Sequence, residues 1–144
     1  MRKLSVVVVW VTLTFSGCGE NMHPKLGLDE IKRVDPSFIQ GKVYIGGRAY
    51  TLSGEACSKA IALLSTVSQA KSEIYHFDLG STIDSDKDIA IRLINDENKE
   101  RYLYFKYYQD INVFSMDSAP RKLDRNLVLT LEKYFDEIEK GVLK

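Results

Sequence analysis

Arg101-Tyr102-Leu103-Tyr104-Phe105-Lys106-Tyr107-Tyr108 is the stretch on which the fold turns. Its side chains alternate: Leu103, Phe105 and Tyr107 point one way, and Tyr102, Tyr104, Lys106 and Tyr108 the other. A period of two belongs to a strand. A strand that is apolar on one side and tipped with hydroxyls and an amine on the other fits an antiparallel sheet covered on one face.

The neighbouring sequence carries the same signal. Residues 88–94 put Ile89, Ile91 and Leu93 together, and the polar residues 95–99 form a turn before residue 101. Residues 73–79 alternate too, with Tyr75, Phe77 and Leu79 against Ile74, His76 and Asp78. After the turn at Gln109-Asp110, residues 111–116 form the last strand of a four-strand run, and a loop with Pro120 follows over 117–122. Asp124 then caps a final helix reaching about residue 140, with Leu123 and Val128 as a hydrophobic staple. Leu127, Leu131, Tyr134, Phe135 and Ile138 line its inner face, and Gly141 ends it.

Further upstream, Val43-Tyr44-Ile45 and Ala49-Tyr50-Thr51-Leu52 flank Gly46-Gly47, the pattern of a two-residue hairpin. The glycines lack the GxGxxG or GK[ST] spacing of a phosphate-binding loop. Ser53 caps a helix over 54–69 with Cys57, Ala60, Ile61, Leu64 and Val67 on one face. A short helix over 28–34 stops at Asp35-Pro36, because proline disfavours helix at the residue before it. Strands that follow one another, with helices set apart from them, predict an α+β fold. The expected architecture is an antiparallel sheet of about four to six strands with helices packed on one face.

The first residues carry a different message. Arg2 and Lys3 precede an apolar run over 4–15, and Ser16-Gly17 precede Cys18. Basic head, apolar middle and small residues are the parts of a secretory signal peptide, and the run is too short to span a bilayer as a helix. Phe15-Ser16-Gly17-Cys18 resembles the lipobox of bacterial lipoproteins, with Phe15 at the position most often Leu. That resemblance implies cleavage before Cys18, a diacylglycerol on its thiol and an acyl chain on the new amine. Gly19, rather than Asp, follows the cysteine. In a host with two membranes, the resemblance then implies the outer one, with the domain facing the periplasm. Three segments are expected: a signal peptide over 1–17, a tether over 18–27 and a single domain over 28–144.

Without residues 1–17 the chain keeps 18 basic and 20 acidic residues, close to neutrality. No basic stripe points to nucleic acid. With Cys18 lipidated, Cys57 is the one cysteine left, so the domain is expected to fold without a disulfide. No cofactor, metal centre or further membrane-spanning helix is expected.

Two clusters carry candidate chemistry. Asp84, Asp86 and Asp88 have the alternate spacing that opens a calcium loop, but the sixth position is Ile89 instead of Gly and the twelfth is Asn95 instead of Glu. A solvated acidic turn accounts for them. Cys57 near a helix start could pair with His76 as a nucleophile and base, oriented by Asp78 or another acid. It also sits on the apolar helix face, where a free cysteine serves as a small core residue.

The tyrosines offer a third candidate. If the helices cover the Leu103 side, Tyr102, Tyr104, Lys106 and Tyr108 form an interaction face, since tyrosine joins a large contact area to a polar tip. The expected function is a membrane-anchored envelope lipoprotein with a non-catalytic protein-binding domain. It would be an accessory subunit of an envelope or secretion complex, or an immunity-type inhibitor. The alternative is a small envelope enzyme or ligand binder using Cys57 and His76, or the acids from Asp84 to Asp88.

Overall fold

The computed structural model describes residues 25–77, 84–116 and 119–144. The signal peptide, the lipobox and all but the last three residues of the expected tether lie outside the described residues. Six strands form one sheet: β1 (Ile39–Ile45), β2 (Arg48–Thr51), β3 (Lys87–Leu93), β4 (Leu103–Tyr108), β5 (Val113–Met116) and β6 (Arg121–Lys122). They lie in the order β2-β1-β3-β4-β5-β6, and every neighbouring pair is antiparallel. Among the described residues three α-helices accompany the sheet: α1 (Leu28–Lys32), α2 (Gly54–Gln69) and α3 (Arg125–Glu139). The fold is α+β.

Local signals explain the elements. Gly46 and Gly47 both have positive φ, 54° and 80°, which the tight β1–β2 turn requires and side chains resist. The Ser53 hydroxyl accepts from the Ala56 amide at the start of α2, and the Asp124 carboxylate accepts from the Leu127 amide at 2.9 Å at the start of α3. Asp35 is extended, as the residue before Pro36 must be, and its carboxylate caps a short 3₁₀ turn over Pro36–Phe38.

Register sorts the side chains. Val43 lies opposite Ile89, Ile89 opposite Phe105, Ile91 opposite Leu103, and Tyr107 opposite Phe114. These residues share one face and are buried with Ala60, Leu64 and Val67 of α2 and Leu131, Phe135 and Ile138 of α3. Tyr107 stacks on Phe135 with 6.2 Å between ring centroids. One hydrophobic core thus lies between a single sheet face and the two long helices.

One expectation needs correction. Residues 73–77, the described part of the segment expected as a strand over 73–79, do not make a ladder strand. Among the described part of that segment only Ile74 bridges, to Arg121, flanked by the bonds Tyr75 N–H to Pro120 O and Lys122 N–H to Glu73 O. Residues 121–122, read as loop, supply the sixth strand instead. Leu26, just before α1, is fully buried, and its amide donates to the Tyr102 carbonyl. Arg101 then fastens α1 to the β3–β4 turn: its terminal nitrogens meet both oxygens of Glu30 at 2.8 and 3.1 Å, and its Nε meets Asp96 at 2.7 Å.

Candidate functional site

The side of the sheet away from α2 and α3 is the candidate site. Strand alternation and register place Gln40, Lys42 and Tyr44 of β1 beside Asp88, Ala90 and Arg92 of β3, and these beside Tyr104 and Lys106 of β4. Tyr102 precedes β4 on the same side. Tyr102 and Tyr104 are 40% and 37% exposed, and Lys106 is exposed with its Nζ 5.7 Å from the Tyr104 ring centre. Tyr108 differs from the other three residues of the expected face. It is half-buried, with the Phe77 ring edge-on at 5.3 Å and Tyr75 edge-on to Phe77 at 5.2 Å. The segment that failed as a strand therefore closes one end of the open face with aromatic rings.

Ala90 makes a notch near the centre of this face. It has a methyl group where its neighbours have long side chains. Lys42 and Tyr104 stand opposite it on the two flanking strands, and Arg92 follows on its own. The resulting groove has a volume of about 310 Å³ and is lined by Gln40, Lys42, Tyr44, Arg92, Tyr102 and Tyr104 around Ala90. Ala90 itself is 6% exposed, although it belongs to no part of the hydrophobic core. Arg92 Nε donates to Gln40 Oε1 at 2.8 Å, which fixes the plane of the guanidinium.

Asp88 borders the notch. Its Oδ2 accepts from the Tyr104 hydroxyl at 3.5 Å, while Oδ1 is closed off from solvent with no hydrogen-bond partner. Burial pushes this carboxyl above its usual range, against the Ser85 hydroxyl and the Lys106 charge, which pull it down. Burial and the neighbouring carboxylate together push the Tyr104 phenol up.

The acids from Asp84 to Asp88 do not converge. Asp84 and Asp86 are exposed, and Asp86 spends an oxygen on the Gln109 amide at 3.0 Å. Among the described residues no three His, Cys, Asp or Glu side chains are grouped closely enough to hold a metal ion.

Cys57 and His76 are not brought together. Cys57 is buried in the first turns of α2, close under Gly41 of β1, and burial raises its thiol pKa. His76 is exposed, on the segment that bridges to β6 through Ile74. Asp78, the third member of that arrangement, lies outside the described residues.

Sequence reasoning found the tyrosines of β4 but missed Gln40, Lys42, Tyr44, Ala90 and Arg92. The signal was present: each is the polar or small partner in a strand whose other side is apolar. No protein-family model, no curated protein and no solved structure matches the chain. No helix among the described residues is long and apolar enough to cross a membrane.

Proposed function

We propose that the chain is an envelope lipoprotein, anchored through lipid on Cys18, whose domain binds another protein through the open face of its sheet and performs no catalysis. In a host with two membranes its place is the outer membrane, facing the periplasm. The observation that carries the binding reading is the exposure of Tyr102 and Tyr104, 40% and 37%, on the sheet side opposite the helices. Exposed tyrosines give large contact area at low entropic cost and are enriched where proteins meet. Cys57 is buried with its thiol pKa raised, which supports reading that residue as a small core side chain. Either an accessory subunit of an envelope complex or an inhibitor of an incoming toxin would use such a face.

The test has two arms. The full chain, cross-linked in intact cells and recovered from detergent-solubilised envelopes, is expected to bring down a stoichiometric partner. Tyr102→Ser with Tyr104→Ser is expected to lose it while keeping the circular dichroism of the parent. Undiminished recovery by the double variant would show that the face is wrong. For the anchor, Cys18→Ser is expected to block incorporation of labelled fatty acid and leave unprocessed precursor. Normal processing and membrane attachment in that variant would sink the lipobox assignment.

A further inference from the structure

Charge is unevenly spread over the open face. The groove over Ala90 is lined by two cations, Lys42 and Arg92, and by no acid. Neither cation has a carboxylate partner among the described residues. Arg92 Nε is taken by Gln40, so the fork is held in one orientation with its terminal nitrogens left to bond outward. The acids Asp84 and Asp86 precede β3, and Asp88 borders the notch on the side away from Arg92.

We propose that the notch over Ala90 receives a carboxylate side chain, an Asp or Glu presented by the protein partner. This rests on the protein-binding reading above. A carboxylate matches a fixed guanidinium with two parallel hydrogen bonds, and Lys42 adds a second charge from the neighbouring strand. The phenols of Tyr44 and Tyr102 flank the same space and offer hydroxyl donors. The missing side chain at Ala90 supplies the room, about 310 Å³, which suits a single side chain rather than a folded element.

The competing occupants fit less well. An anionic lipid surface carries one sign of charge throughout and would also meet Asp88 beside the notch and the exposed Asp84 and Asp86 before β3. A protein partner can present an acid to Arg92 and a base to those acids. A phosphate group brings a second negative charge close to Asp88, whereas a carboxylate brings one.

The experiment uses the ¹⁵N-labelled full chain in non-ionic detergent and two capped tripeptides, acetyl-Gly-Glu-Gly-amide and its Gln counterpart. The Glu peptide is expected to shift the amides of Ala90 and Arg92 and the Arg92 Nε resonance in a saturable way at millimolar concentration. The Gln peptide should bind at least about tenfold more weakly, since hydrogen bonds to a charged group are among the strong ones. Arg92→Gln and Lys42→Gln should each weaken the Glu peptide, and Arg92→Lys should restore only part of the loss. The same spectra report whether each variant is folded. Equal shifts from both peptides, or none from either, would overturn the proposal. So would tighter binding of inorganic phosphate than of the Glu peptide. Co-sedimentation with phosphatidylglycerol vesicles that depends on Arg92 and outlasts excess peptide would also overturn it. Partner recovery that is lost with the tyrosine double variant but unchanged by Arg92→Gln would leave the protein-binding face standing and remove only the carboxylate.

Discussion

Gly41 shows how little room one residue can leave. A methyl group there would stand 2.9 Å from Leu52 Cδ1 and 3.0 Å from Cys57 Sγ, inside the core between β1 and α2. Overpacking of this kind costs about 1–3 kcal/mol. Gly41→Ala is therefore expected to lower the urea midpoint, and adding Cys57→Ala, which removes the sulfur, should return part of the loss. A double variant no better than Gly41→Ala alone would place the strain on Leu52. Asp88 offers a prediction of the opposite sign. Burial holds its folded pKa above the unfolded one, so the folded state binds its proton more tightly, and ionisation at neutral pH works against folding. Asp88→Asn is expected to be more stable than the parent at pH 7. That advantage should fade as pH falls through the folded pKa of Asp88 towards the ordinary carboxylate range near about 4. Thermal melts of both proteins across that interval decide it.

At the scale of elements, α3 has the clearest stop. Gly141 has φ 70°, its amide donates to the Ile138 carbonyl at 3.1 Å, and the Val142 amide donates to the Glu137 carbonyl at 3.0 Å. These two bonds form a Schellman motif, and they depend on a residue that accepts the left-handed region. Gly141→Ala should cost about 1–2 kcal/mol and Gly141→Asn less, read as shifts in thermal midpoint. This end was legible in the sequence, as were both long helices, the Gly46-Gly47 hairpin and strands β3, β4 and β5. Each of those elements announces itself locally, by a cap, a turn pair or a period. Residues 73–79 misled for a physical reason. Tyr75 and Phe77 alternate like a strand, but their rings serve to cover Tyr108 at the end of the open face, and a single bridge suffices to hold the segment. β6 was missed because two residues have no period to read. The open face itself was only partly legible. Its tyrosines lie on one strand, but the groove needs β1, β3 and β4 side by side, and sequence alone does not give the strand order.

Across the described residues a single core joins the first of them to the last. Leu26 and Ile31 near the start, Cys57 and Leu64 of α2, Phe105 and Tyr107 of β4, and Leu143 at the end all belong to one buried cluster. No smaller unit can leave without exposing that cluster, so unfolding should be a single cooperative transition. Cys57 is the natural reporter. Its thiol is buried, and burial also raises its pKa, so the native protein presents neither access nor thiolate. Beside it the Tyr134 hydroxyl donates to the Ala56 carbonyl at 3.0 Å, which holds α3 to the first turns of α2. Tyr107, pushed up to about 12 by burial and by Glu132, sits in the same cluster and should ionise only on unfolding or in strong alkali. Labelling of Cys57 by a thiol reagent in rising urea is then expected to follow the same curve as far-ultraviolet circular dichroism. At pH 11 the part of the tyrosinate absorbance that appears only in urea should follow the circular dichroism recorded at that pH. If Cys57 reacts well before helicity is lost, the start of α2 opens on its own, and the core is two units rather than one. Coincident curves would mean that the sheet whose outer side carries the proposed notch is held rigid by the full stability of the domain. A rigid sheet of that kind lets Arg92 keep its bond to Gln40 and meet a partner's carboxylate without first being ordered.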